Sequence, residues 1–517
     1  MGRPSSSKTA NGGGGAGSGG DRAAAWRELF RRPPPAAPGS GAPQPLRVVA
    51  GVVPKDLRGV YYKNGPVWDG SADEHPLDGE GFISAIRFTG DGSVTFQAQP
   101  VVTDHILAER REGCRVRPGA FGPSDTGPDV SVKNVGNTNV IAWGHDLLAF
   151  YEAGAPYVLD PKTLMTEDRY LHFRDGLPVM SGNAALDATM RMLGKFGDAV
   201  TAHPKIVAGA GVGAESGPVM VLTTVRYSLA RGPKAKTEVT FWEIATEGVV
   251  VQKHTVTVRG FAYFHDFAVT DTRYVFFQTP MTVDWDAIPE RGIARCLRQT
   301  LGEPTQIHSI ARKDGAHTSV PFGGGDSFVF HHAYARETTH GRTEIVSVHY
   351  PEYNVPAATA ACATASSGGS GGSGDVRGEL RKLLIDWRES TVRVRKMARG
   401  QWLEFPVYDA AHHLVFATGE WSPEGGPQQA MVRVNATSGE TQFWTRRDAM
   451  FGEPVVLAGT GVDAGYVATM CRRIATGDTT LILWRVHRIA EGPIAEIALP
   501  PGTPLGLHGM WAADGAA

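Results

Sequence analysis

The chain has 517 residues, of which 42% are apolar and 20% charged, with a net charge of −2. That balance fits a folded globular protein and excludes the basic face that a nucleic-acid partner requires. Four scattered cysteines, Cys114, Cys296, Cys362 and Cys471, exclude a disulfide framework and a Cys-rich zinc site and fit a reducing compartment. There is no apolar run of about 18 residues to cross a membrane, and no signal-peptide core near the N-terminus.

Residues 1–45 read as disordered. GGGGAGSGG is a flexible tract and RRPPPAAPGSGAPQP a Pro-rich linker, with one helix expected between them at DRAAAWRELF. The segment is rich in Arg, Ser and Ala, and Asp21 is its first acidic residue, a composition compatible with a plastid transit peptide; plain disorder is the alternative.

From Leu46 to the end, residues 46–517 read as one β domain. Gly65-Pro66 in YYKNGP and the Asp78-Gly79-Glu80-Gly81 cluster predict tight turns. SVTFQAQPVV, NVIAWGHDLLAFYE, VMVLTTVRYSL, TEVTFWEI, YVFFQTPM, EIVSVHY, HLVFATGEW and TLILWRV predict strands, being rich in Val, Ile, Phe, Tyr and Thr and bounded by turn residues. More than about twenty such strands are too many for one open sheet, and a radial propeller disposes of their edges. No WD or kelch repeat is present, so periodicity alone does not identify a propeller. Two stretches interrupt the strands, ALDATMRMLGKFGDAV and WDAIPERGIARCLRQTL. In the second, Ile288, Ile293, Leu297 and Leu301 can share one helical face, giving either a basic amphipathic membrane contact or a cap helix packed on the propeller. The Gly/Ser/Ala-rich residues 357–376 predict a flexible surface loop.

Four histidines stand in settings with metal-ligand character: His203 in TAHPK, His265 in YFHDF, His331 in FVFHH and His508 in LGLHG. None has a second ligand three or four residues away, as a zinc finger or a helical metal motif would. A site made of them must be gathered by one large closed fold. The chain holds 17 histidines, and an isolated one is more often a surface or core residue than a ligand.

The ordered company of these four is what lifts them above that expectation. NGP, DGEG, Glu152 in FYEAGAPYVLD, Glu404 in WLEFP and Glu453 in GEPVV accompany them along the chain. In this order the sequence resembles the carotenoid cleavage oxygenase family, non-haem iron enzymes that split carotenoids, apocarotenoids and stilbenes. The resemblance runs from about Leu46 to Trp511. It implies an all-β, seven-bladed β-propeller with a helical and loop cap over one face.

The same resemblance implies one Fe2+ per chain held by His203, His265, His331 and His508, with O2 as co-substrate. A register shift of one would make His332 the ligand in place of His331. Glu152, Glu404 and Glu453 would accept the second ring N–H of His265, His331 and His508 respectively, which leaves His203 without a carboxylate. Thr138 matches a position that in some relatives blocks an open iron site, and could equally be an ordinary strand threonine. Tyr334 stands where many relatives have Asn after the third ligand. Tyr151 replaces a Lys, and Phe96 a phenol-contacting Tyr, of stilbene-cleaving relatives, and both changes point to an apolar polyene substrate.

The activity implied is O2-dependent cleavage of a carotenoid or apocarotenoid double bond to two carbonyl products. The alternatives are a retinyl-ester-type isomerohydrolase or a stilbene-cleaving oxygenase on the same fold, and a non-catalytic carotenoid-binding propeller. No GxGxxG lies between a strand and a helix, and the reaction needs no nicotinamide or flavin. The expected protein is a monomer in the plastid, or alternatively the cytoplasm. Peripheral membrane contact is expected near residues 186–197 and 285–301.

Overall fold

The computed structural model describes residues 30–31, 41–70, 74–122, 132–152, 154–170, 200–209, 217–227, 235–246, 248–323, 327–351, 378–419, 428–458 and 465–514. The helix expected at 21–30, apart from Phe30, the stretch 185–199 and the loop 357–376 lie outside these residues.

Seven antiparallel sheets account for nearly all the strands among the described residues. Blade 1 holds Gln44–Pro45, Arg58–Val67, Glu80–Thr89, Val94–Pro100 and Gly509–Ala513; blade 2 runs from Asn139–Trp143 to Thr166–Tyr170. Blades 3, 4, 5 and 6 begin at Lys205–Ala208, Ala268–Val269, Phe328–Glu337 and Leu403–Asp409. Blade 7 is built on Val455–Ala458, Gly465–Arg473, Thr479–Arg485 and Ala495–Ala498.

Alternation along each strand explains why the sheets stack in a ring. In blade 3, Val219, Val221, Val239 and Phe241 pack on Phe267, Tyr274 and Phe276 of blade 4. Their strand neighbours Met220, Leu222, Trp242 and Ile244 point the other way, onto Leu148, Phe150 and Val158 of blade 2. Successive side chains of a strand face opposite sides of its sheet, so a blade with two apolar faces needs a neighbour on each. The same division repeats at every interface, including 7 against 1, where Leu457 and Leu481 meet Tyr61, Phe88 and Phe96. The result is a seven-bladed propeller.

Both ends of the chain close the ring. Arg47–Gly51 adds to blade 7 beside Ala495–Ala498, while Gly509–Ala513 adds to blade 1 beside Arg58–Val67.

Several expectations are corrected here. Ordered structure begins before Leu46: Gln44–Pro45 pairs with Thr95 and Phe96, and Phe30 is buried in the core with its carbonyl accepting from Trp68 N. Gly65-Pro66 is no turn but part of the continuous strand Arg58–Val67, because a Cβ at Gly65 would stand 2.4 Å from Gly506 Cα and only glycine permits that approach. Residues 285–301 form no long amphipathic helix. Pro289 and Gly292 (φ +77°) break it into short turns, and Leu297–Gln299 pairs as a strand with Met281–Val283. A helix that the strand pattern did not announce, Asp104–Glu112, is capped by Thr103 and ended by left-handed Gly113.

Candidate metal centre

The first strand of each sheet in the order above, with Gly509–Ala513 serving blade 1, is its inner strand; along most of the ring these strands touch one another. Residues within three positions of the starts of these strands, before or inside them, therefore converge on one end of the axis. Going round the ring from blade 1, they are His508, Thr138, His203, His265, His331, Glu404 and Glu453. Glu152, two residues past the second strand of blade 2, completes the set. Ligands about 300 positions apart thus become neighbours through the ring closure, because the strand after His508 is the inner strand of the first blade.

His203, His265, His331 and His508 each present a ring nitrogen, and these four atoms lie within 4.8 Å of one another. His203 Nε2 and His265 Nε2 are 2.8 Å apart. Imidazole–metal bonds of about 2.1 Å place adjacent donors roughly 3 Å apart and opposite ones roughly 4.2 Å apart, so the cluster has the dimensions of one ion's ligand set.

Carboxylates orient three of the rings. His331 Nδ1 donates to Glu404 Oε1 at 2.5 Å and His508 Nδ1 to Glu453 Oε1 at 2.8 Å. His265 Nδ1 stands in ion-pair contact with Glu152 Oε1. A carboxylate only accepts, so the proton sits on Nδ1 and Nε2 keeps its lone pair. His331 Nε2 is buried and has no hydrogen-bond partner among the described residues, as befits a donor reserved for an ion. His203 makes no carboxylate contact among the described residues; its backbone N–H donates to Thr201 Oγ1 at 3.0 Å.

The electrostatics favour neutral rings where no carboxylate intervenes. Burial, then the neighbouring His265, His508 and His331, holds His203 well below the usual imidazole range. Burial also lowers His508, partly offset by Glu453. His331 is pushed the other way: burial opposes its charge, but Glu404 and then Asp266 outweigh it. Burial opposes ionisation of Glu453 too, yet His508 and Lys63 hold its carboxyl at about 2. Lys63, itself 1% exposed, has its ammonium 3.3 Å from Glu453 Oε2.

The strand period separates His331 from His332. His331 joins the cluster; His332 faces the 4/5 blade interface beside Phe277, and its backbone N–H donates to Asp266 Oδ2 at 2.8 Å.

A cavity of about 350 Å³ opens onto the cluster. Thr138 and Tyr151 lie on its wall; Phe96 and Tyr334 do not. Phe96 is buried between blades 7 and 1. Tyr334 stacks on Tyr408 at 4.1 Å and donates to Glu344 Oε1 at 2.7 Å, because the bulges after Val329 and His332 turn its side chain into the 5/6 interface.

Several aromatic residues on the wall were missed, although some sit inside the motifs quoted for the ligands, Phe330 and Phe405 among them. Phe330 stacks on His265 at 4.1 Å, and Phe405 lies against His331 at 5.6 Å and His508 at 5.4 Å. Phe405 has φ +53°, within a bulge between Glu404 and Val407. A left-handed non-glycine costs about 1–3 kcal/mol, so the bend that aims its ring is imposed by its surroundings.

The family model for retinal pigment epithelial membrane protein matches residues 37–513. The chain belongs to that family, the carotenoid oxygenases. It is 29% identical over 496 residues to the apocarotenoid-15,15'-oxygenase of Synechocystis sp., covering 90% of this chain and 92% of that one. It is 24% identical to the chloroplastic carotenoid cleavage dioxygenase 7 of Oryza sativa subsp. japonica, covering 90% and 88%. Among solved structures, cobalt-substituted Synechocystis apocarotenoid oxygenase superposes with a TM-score of 0.77 at 27% identity, over 96% of this chain and 99% of that one. This carotenoid oxygenase thus shares its propeller with a relative that accepts a metal.

Proposed function

We propose that this family member is a non-haem iron(II) dioxygenase that cleaves a C=C bond of a carotenoid or apocarotenoid with O2, giving an aldehyde or ketone on each side. The observation that carries this reading is the apposition of a four-imidazole cluster to an apolar, aromatic cavity. The buried, unpartnered Nε2 of His331 and the three oriented rings support a resident cation. Imidazole donors suit iron, and iron would supply the redox chemistry that joins O2 to the alkene.

The chain's own residues do the rest. His203, His265, His331 and His508 would hold the ion, and Glu152, Glu404 and Glu453 keep protons on Nδ1 so that Nε2 points inward. Phe121, Phe261, Tyr263, Phe330 and Phe405 offer a hydrophobic bed for a polyene and exclude water. Both atoms of O2 pass to the two carbons of the broken bond, whose electrons serve as the reductant, so no acid–base side chain is required. Tyr151, in place of the Lys of stilbene-cleaving relatives, supports a polyene over a phenol.

Trp285, on the cavity wall and 38% exposed, supports loading of an apolar substrate from a membrane surface. The Arg-, Ser- and Ala-rich N-terminus supports a plastid address, which localisation of a full-length fusion tests.

The test is dioxygen uptake by iron-loaded protein supplied with C40 carotenoids and apocarotenals. One O2 consumed per substrate cleaved is expected. Product formed without uptake would point to an isomerohydrolase, and carotenoid bound but unchanged would point to a binding protein.

A further inference from the structure

The Asp78-Gly79-Glu80-Gly81 cluster has a role beyond a turn. Asp78 is the last residue of a short 3-10 turn, Pro76–Asp78, and is 2% exposed. Its Oδ1 accepts from Ala120 N at 2.7 Å and from Phe121 N at 3.3 Å, and its Oδ2 from Phe121 N at 3.1 Å. The turn itself is fixed from the segment leading into blade 2, where Asn137 Nδ2 donates to Leu77 O at 2.9 Å and Gly79 O at 2.8 Å. Ala120 and Phe121 are cavity wall, and the Phe121 ring stacks on His75 at 5.0 Å.

The connection continues into the cap. Ala294 N donates to Ala120 O at 3.0 Å, and Val283, Ile293, Ala294 and Leu297 form the adjoining wall. Two glycines allow these layers to touch. A Cβ at Gly119 would lie 2.1 Å from Asp78 Cγ; one at Gly292 would lie 2.6 Å from both Ala120 O and Gly122 O. Segment 119–122 is therefore clasped between a blade 1 carboxylate on one side and the cap on the other.

We propose that Asp78 is a positioning residue: its carboxylate holds the cavity wall at Ala120 and Phe121, and through Ala120 the cap segment 288–297, in the shape that selects the substrate. A buried carboxylate is an expensive anchor. Burial pushes the Asp78 carboxyl up to about 6 even against its two backbone donors and Lys133, so its retention at neutral pH opposes folding. What it offers in exchange is geometry: both oxygens accept from two consecutive N–H groups, whereas an amide's single oxygen would keep the Ala120 bond and only the longer, 3.3 Å approach of Phe121 N. Asn at this position would keep the shape but turn an N–H towards Phe121 N–H.

Only the word substrate rests on the function proposed above; the clasp does not. The test is hydrogen exchange of the metal-loaded full chain as wild type, Asp78→Asn and Gly292→Ala, the last pressing on 119–122 from the opposite side. In both variants amides of 119–122 and 288–297 are expected to exchange at least about tenfold faster, with the strand Phe328–Glu337 and the metal stoichiometry unchanged. A rise confined to 75–81, or one spread evenly over all blades, overturns the proposal. Turnover gives a second readout: both variants are expected to raise KM about tenfold for a retained apocarotenal while kcat stays within about twofold. If wild type turns over no polyene, the function proposed above fails, and the exchange result still decides the role of Asp78.

Discussion

His331 Nδ1 and Glu404 Oε1 are 2.5 Å apart, although 73 positions separate the residues along the chain. Phe328–Glu337 and Leu403–Asp409 are the inner strands of adjacent blades, so the pair is a product of ring order. Glu404→Gln keeps the shape and removes the charge that keeps the ring's proton on Nδ1. Metal affinity is expected to fall about 10–100-fold, measured by competition with a chelator. An unchanged affinity would remove Glu404 from the site.

His331 and His332 are adjacent and equally buried, and only one faces the cluster. His331→Ala is expected to abolish stoichiometric metal binding. His332→Ala is expected to retain the metal and lower thermal stability by about 1–3 kcal/mol through lost packing on Phe277. Metal analysis of the two purified variants checks this, and a reversed pattern would move the ligand by one residue.

How much of this was legible depended on the length scale. Strands such as TEVTFWEI and EIVSVHY were readable because alternating apolar residues serve two blade interfaces; they became Lys236–Ile244 and Thr343–Tyr350. The blade count was not, since the sheets share no sequence repeat, and the number seven came from family likeness. The four histidines were legible in their motifs. Phe405 was not singled out, because nothing in WLEFP announces a positive φ. Phe96 and Tyr334 were matched to relatives position by position, and bulges and face alternation sent them into interfaces. Gly65-Pro66 looked like a turn because a close backbone approach to Gly506 leaves no local trace.

Lys63 is the buried cation of the Glu453–His508 pair, and its stem runs against Gly506 and Gly509 on either side of His508. Lys63→Met strands a buried carboxylate and is expected to cost about 3–5 kcal/mol in urea unfolding. In a Glu453→Gln background the same change is expected to cost far less, since no partner is left unpaired. Equal losses in the two backgrounds would show that Lys63 acts by packing alone.

His308 supplies a pH test away from the metal cluster. Its Nε2–H donates to Gln278 Oε1 at 2.9 Å, so its Nδ1 accepts from His317 Nε2 at 2.9 Å. Burial, then His317, holds it down to about 3. The unfolded chain takes up this proton near pH 6.5 and the folded protein only near pH 3, so stability is lost as pH falls through that window. The loss from this one group is up to about 1.4 kcal/mol per pH unit. His308→Gln is expected to flatten the decline of urea midpoints between pH 7 and 4.5 relative to wild type. Parallel declines would contradict it.

The most direct measurement is cleavage of C40 carotenoids, shorter apocarotenals and resveratrol by ferrous-loaded protein under 18O2, read by mass spectrometry. A polyene is expected to yield two carbonyl products, each carrying one 18O, with resveratrol left intact. Unlabelled products, or cleavage of resveratrol alone, would contradict carotenoid dioxygenase chemistry at this centre.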